Sequence, residues 1–307
     1  MGRIYAIMLN TFREAVRDRV LYAVLGFACA VLLFTLAIAE LSLHDKLRVV
    51  SDVGMASISL FAVVIAVFLG SSLLYKEIER KTLYVILPKP IARAEFLLGK
   101  YLGIVLTAVV FVALMGSLQL WTTSLQAEAS PLWAGLVLLG LLAALALALA
   151  FARDRTAVLL PFAALALTVS ALFADRSGVD LQALLAQLSL CAVEVLVLAS
   201  VAILFSSFST PFLTGIFTLG IWVLGRSADD MATLKSKQLG ELTKGVLRVA
   251  SEVLPNLQLY VPGRSLLYSE TKVWVWPYVA SCLGYGVLYA VVLLGLAAFI
   301  FQRRDFV

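Results

Sequence analysis

Long apolar runs separated by short charged segments dominate the chain. Spanning the hydrocarbon core of a bilayer takes roughly 20 apolar residues, and only a helix satisfies its own backbone hydrogen bonds there. The run 195–225, which continues a weaker apolar stretch from Leu181, is too long for one helix. Polar residues at 206–211 break it, so we divide it into two spans. The pattern predicts an all-α, polytopic helical bundle with about eight transmembrane helices, at 20–39, 54–75, 98–122, 131–152, 156–174, 182–205, 210–226 and 273–301.

Composition agrees with this class, because 62% of the residues are hydrophobic and only 14% are charged. The three cysteines, Cys29, Cys191 and Cys282, all fall inside apolar runs and are interpreted as packing residues. Neither a metal-ligand set nor a nucleophile–base arrangement is visible in the sequence. We therefore expect no catalytic residue, no metal and no cofactor in this chain, and no nucleic-acid partner.

The distribution of positive charge predicts the orientation of the chain in a bacterial inner membrane. Arginine and lysine cluster in the N-terminal segment, after the second and fourth spans and in the C-terminal tail, which places both termini in the cytoplasm. The predicted outer loop, 227–272, opposes this assignment because it is also rich in lysine and arginine. The tryptophans support the cytoplasmic assignment of the termini, because indoles favour the headgroup boundary and all five lie at predicted outer ends of spans. They are Trp121, Trp133, Trp222, Trp274 and Trp276.

The N-terminal segment 3–18 has apolar residues at helical spacing and charged residues on the other face. This pattern predicts an amphipathic helix that lies flat in the membrane interface. A simple anchor explains the pattern as well as a mechanical role does.

The segment 76–93, between the second and third spans, combines a charged turn, an apolar stretch and a stop at Pro88 and Pro90. A short helix of this kind suits a groove on a soluble partner. The alternative is a solvated loop that only enforces topology, but such a loop does not need the apolar stretch. The candidate docking residues are Glu77, Glu79, Arg80, Lys81, Thr82, Leu83, Tyr84, Leu87, Pro88 and Arg93.

Glu194 lies near the middle of the span 182–205, with no charge within twelve residues on either side. A carboxylate at this depth is costly and should face the bundle interior. It is either part of a substrate or proton path or a packing residue that forms an interhelical hydrogen bond. The sequence leaves both readings open.

Three serines, Ser206, Ser207 and Ser209, mark the predicted cytoplasmic break between two spans. They either cap the next helix around Pro211 or form a second, smaller contact with the soluble partner. On the other side, residues 239–254 carry a helical apolar stripe. This stripe predicts a segment that lies on the outer surface or re-enters beside the last span.

Four motifs in this order resemble the ABC-2-type transporter permeases, with the subgroup that includes the copper-maturation permease of nitrous oxide reductase as the nearest likeness. They are Phe12-Arg-Glu-Ala-Val-Arg-Asp-Arg19, Glu77-x-Glu79-Arg-Lys-Thr-Leu83 followed by Pro88, Arg93 and Gly99-Lys100, Leu204-Phe-Ser-Ser-Phe-Ser209, and Leu254-Pro-Asn-Leu257. Two features depart from the family pattern. Lys81 stands where many members have glycine, and the family usually has six spans, so 131–174 resembles an inserted hairpin.

The resemblance implies one transmembrane domain over residues 1–307, with an elbow helix at 3–18, a coupling-helix region at 76–93 and an outer loop at 227–272. It also implies that a separate cytoplasmic ABC ATPase binds ATP and Mg and docks on the coupling-helix region. Gly99-Lys100 lacks the other residues of a phosphate-binding loop, which agrees with this division. The implied function is the permease subunit of an exporter, paired with a second permease subunit and surrounded by membrane lipids. Two alternatives remain, a membrane scaffold that passes ATPase-driven motion to an outer-face protein and an ion-coupled carrier.

Overall fold

The computed structural model describes residues 2–42, 45–79, 92–127, 129–152, 154–228, 253–261 and 274–303. The described residues are helical, without strands, and the all-α polytopic fold class is confirmed. The helices are α1 Gly2–Val16, α2 Arg19–Leu41, α3 Lys46–Glu79, α4 Arg93–Gln126, α5 Pro131–Phe151, α6 Arg155–Arg176, α7 Leu181–Ser206, α8 Pro211–Arg226 and α9 Trp276–Arg303. A short 3-10 helix lies at Leu257–Tyr260.

Seven of the described helices are long and apolar enough to cross a membrane. The helix α8 has 16 residues and a length of about 24 Å, which is short of the roughly 30 Å hydrocarbon core. The count of eight spans therefore stays a prediction. The helices α3 and α4 have 34 residues each and are longer than the predicted spans, because the helical backbone continues through charged residues at their ends.

The chain divides into two compact units whose boundaries fall inside α3, α4 and α7. One unit comprises residues 9–65 and 105–192. In it, α5 and α6 pack together as a hairpin, and Gln119 of α4 donates from Nε2 to the carbonyl oxygen of Val50 in α3 over 2.9 Å. Gly54 is needed beside this buried amide, since a Cβ there would lie 1.9 Å from its Oε1.

In the same unit, the amphipathic helix α1 is attached to the α5–α6 hairpin. Phe12 and Val16 are buried against Val110 and Ala163. Beside them, Arg13 forms an ion pair of 3.1 Å with Asp154, which lies in the turn of the hairpin. The amphipathic pattern at 3–18 thus belongs to a helix whose apolar face is covered in part by protein.

The other unit comprises residues 1–8, 66–104 and 193–307. In it, α3 and α7 cross so closely at Gly70 that a Cβ would lie 2.4 Å from the Cβ of Ala202. Gly99 of α4 makes a similar approach to α1, where a Cβ would lie 2.7 Å from Ile7. Small residues let helix backbones come together in this way in membrane proteins.

Candidate functional site: a buried polar cluster at Glu194

Glu194 is 1% exposed and lies near the middle of α7, where it meets two polar side chains of α8. Arg226 donates from Nη2 to both carboxylate oxygens, at 2.9 and 3.0 Å, and from Nε to Oε1 at 3.1 Å. The indole Nε1 of Trp222 donates to the same Oε1 over 2.9 Å. The guanidinium also lies over the Trp222 ring, 5.3 Å from its centroid. The carboxylate is therefore held by an arginine fork and an indole.

The short length of α8 explains how this arginine reaches the middle of α7. The two helices are joined by a four-residue turn, Ser207 to Thr210, and run back along each other. Glu194 precedes the end of α7 by twelve residues and Arg226 ends α8, so both lie roughly 20 Å from the turn. Arg226 also occupies the last turn of α8, where a cation offsets the negative end of the helix dipole.

The segment 253–261, which includes the 3-10 helix, packs against the last helix, α9. Three tyrosine hydroxyls of α9 meet its backbone in order: Tyr289 donates to the carbonyl oxygen of Val253 (2.8 Å), Tyr285 accepts from the amide of Asn256 (3.0 Å), and Tyr278 donates to the carbonyl oxygen of Leu259 (2.6 Å). The distance from Tyr278 to Tyr289 along a helix is about 16 Å. These hydroxyls thus pair backbone polar groups of a segment that lies along an apolar helix.

The segment 253–261 also closes around the end of α8 and the polar cluster. A Cβ on Gly225 would lie 2.6 Å from the carbonyl oxygen of Pro255, and one on Gly286 would lie 2.9 Å from the hydroxyl of Tyr260 and 2.8 Å from Val193. That hydroxyl is buried and has no hydrogen-bond partner in the described part of the chain. The neighbour of Glu194 along α7, the end of α8 and the segment 253–261 are thus in close contact. The predicted outer stripe at 239–254 lies outside the described residues except at 253–254.

The predicted docking segment is only partly described. Residues 80–91 lie outside the described residues, and with them Arg80, Lys81, Thr82, Leu83, Tyr84, Leu87 and Pro88. Glu77 and Glu79 are in the last turn of α3. Arg93 begins α4 and donates from Nη1 to the carbonyl oxygen of Phe301 over 3.1 Å, near the end of α9. A cation at this position suits the carbonyl groups of a helix C-terminus.

The three serines near the α7–α8 turn do not share one environment. Ser206 and Ser207 are buried, and Ser207 donates to the carbonyl oxygen of Leu204 over 2.6 Å. Ser209 lies 2.7 Å from the hydroxyl of Thr214 in the first turns of α8, while the cap position itself is Thr210. Phe208 in the same turn is a large hydrophobic residue that is exposed.

The described helices define a multi-pass membrane protein. A family model for the ABC-2 family transporter proteins matches residues 5–306. The chain therefore belongs to the ABC-2 transporter family. The predicted membership in the ABC-2-type permeases is confirmed at the level of the family. No curated protein matches the sequence.

Proposed function

We propose that the chain is the permease subunit of an ATP-driven exporter, with both termini in the cytoplasm. In this proposal a separate ABC ATPase binds ATP and Mg, docks on residues 76–93 and drives movement of the transmembrane helices. A second permease subunit completes the transporter. The proposal includes a place in the subgroup that contains the copper-maturation permease of nitrous oxide reductase, which the order of the four sequence motifs resembles.

The continuity of α3 and α4 is the observation that supports this proposal most strongly. Each of these helices has 34 residues, or about 51 Å, and together they flank the segment 80–91. Each is therefore roughly 20 Å longer than the hydrocarbon core is thick. A force applied at the segment would act directly on two unbroken helices. It would also act on α1 through Gly99 and on α9 through Arg93.

The binding of the carboxylate of Glu194 weighs against the ion-coupled carrier. Both of its oxygens accept hydrogen bonds from Arg226, so its charge is already compensated inside the protein. A carrier would use such a carboxylate to take up its coupling ion. The scaffold alternative shares the ATPase with our proposal and differs from it only in whether a solute moves.

Charge reversal at the end of α3 tests the docking. We expect the double variant Glu77→Lys and Glu79→Lys to fold but to lose co-purification with the ATPase. Asp45→Lys is the matched control, because Asp45 is exposed at the opposite end of α3 and should leave the complex intact. Undiminished co-purification of the double variant would refute docking at this segment.

Reconstitution then separates the three functions. Vesicles that contain this chain and its ATPase should move solute only when Mg and ATP are supplied. Movement of a solute by the purified chain alone would establish the carrier instead. ATP hydrolysis that depends on the chain but moves no solute would favour the scaffold.

A further inference from the structure

A pocket of about 810 Å³ lies where α5 begins and α6 ends, lined by both arms of the hairpin and by residues that follow the end of α4. Its volume is in the range of pockets that hold small ligands. The wall is mainly apolar, with Val137, Val169 and Phe173 among the residues that line it. Polar groups gather at one side, where Arg176, Ser177 and Ser130 also line the pocket.

The surroundings of this pocket are those of a lipid-facing surface. Very little of α5 is buried within the chain, whereas most of α7 is. Trp133 and Leu172 line the pocket and remain 63% and 66% exposed. Because α5 and α6 begin and end here, the polar side of the pocket is at the level of the lipid headgroups, where tryptophan and arginine are favoured.

Arg176 is available to an anionic ligand. Its side chain is exposed, and among the described residues no carboxylate forms an ion pair with it. The nearby Asp180 is used instead to accept a hydrogen bond from the amide of Ala183 at the start of α7. The neighbouring Asp175 is exposed, and Glu128 lies outside the described residues.

We propose that this pocket binds an acidic phospholipid of the surrounding membrane. An acyl chain would occupy the apolar space between α5 and α6, and the phosphate would accept hydrogen bonds from Arg176 and from the hydroxyl group of Ser130. The Ser177 hydroxyl already donates to the carbonyl oxygen of Phe173 over 2.8 Å. A guanidinium matches a phosphate in both charge and geometry. The site belongs to the 131–174 hairpin. Lipid binding there does not depend on whether the chain docks an ATPase.

Quenching of Trp133 fluorescence by brominated lipids tests the proposal on the purified full chain in vesicles. The Trp133 contribution is the difference between the wild-type chain and Trp133→Phe, a substitution at a largely exposed position. We expect brominated phosphatidylglycerol to occupy the pocket roughly five-fold more readily than brominated phosphatidylcholine, the effect of one arginine near an anionic headgroup.

Three variants decide the result. Arg176→Gln should abolish the preference for phosphatidylglycerol, while Arg48→Gln, which removes an exposed arginine from the start of α3, should keep it. Val169→Phe should reduce quenching by both lipids because it fills the pocket. Equal quenching by the two lipids in the wild-type chain, an intact preference in Arg176→Gln, or unchanged quenching in Val169→Phe would each overturn the proposal.

Discussion

Replacing Glu194 and replacing Arg226 should lower the free energy of unfolding by different amounts. Glu194 is 1% exposed, whereas the side chain of Arg226 is 27% exposed. Replacing Arg226 with Met leaves a buried carboxylate without the guanidinium that compensates its charge, although the Trp222 indole still donates to it. Replacing Glu194 with Gln keeps an acceptor for that indole and leaves an arginine that reaches solvent in part. The arginine substitution is therefore the more harmful of the two.

The expected losses of unfolding free energy follow from these two environments. Leaving one member of a buried ion pair uncompensated costs about 3–5 kcal/mol, so we expect this loss for Arg226→Met. We expect about 1–2 kcal/mol for Glu194→Gln, because hydrogen bonds inside membrane proteins contribute modestly and the exchange is conservative. In the double variant no buried charge remains, so its loss should be about 2–3 kcal/mol. That loss is smaller than the sum of the two single losses.

A double-mutant cycle measures this coupling. The free energy of unfolding is obtained by titrating SDS into mixed micelles and following the helical circular dichroism signal. The exposed pair of Glu40 and Lys46 is the matched control, and Lys46→Met should leave the unfolding midpoint unchanged. Additive losses at Glu194 and Arg226, or an Arg226→Met variant as stable as Glu194→Gln, would refute the reasoning.

Two further predictions concern α1. Gly99→Ala would place a methyl group 2.7 Å from Ile7, and such overpacking should destabilise the chain by about 1–3 kcal/mol in the same titration. Gly135→Ala is the control, because a Cβ there meets nothing within 4 Å and should not destabilise the chain. Equal stability of the two variants would contradict the close approach at Gly99. The hydrogen bond from the Thr156 hydroxyl holds the pKa of Asp154 below its ordinary value of 3.8, so its ion pair with α1 should persist above that pH and be lost on further acidification. A spin label on α1 should therefore become more mobile once the pH falls below 3.8 in the wild-type chain but not in Asp154→Asn, and a wild-type label that shows no response there would contradict this.

The fold class could be predicted from the sequence because bilayer thickness and backbone hydrogen bonding leave few choices for long apolar runs. The ends of the helices could not. The helix α3 begins at Lys46 and α4 at Arg93, in both cases before the apolar run, because charged residues also form helix outside the hydrocarbon core. Hydropathy marks the boundary of the lipid, and a helix is free to continue beyond it.

The partner of Glu194 could not be found by looking along the chain near it. Arg226 is 32 residues away, at the end of a predicted span and next to the charges of the following loop. The sequence pattern places Trp222 at the headgroup boundary, but its indole N–H donates a hydrogen bond to Glu194. A cue was present, since the run from Pro211 to Arg226 has only 16 residues, fewer than the roughly 20 that a span requires, and a short helix that runs back along α7 ends beside the middle of α7.

Because α3 and α4 are long, a small tilt of either helix displaces its far end by a large distance. If a helix of about 51 Å pivots near one end by about 5°, its far end is displaced by roughly 4 Å. That displacement exceeds the diameter of a water molecule, about 2.8 Å. A tilt of a few degrees at the end next to the segment 80–91 would therefore move the opposite end of the helix far enough to admit or exclude a water molecule there.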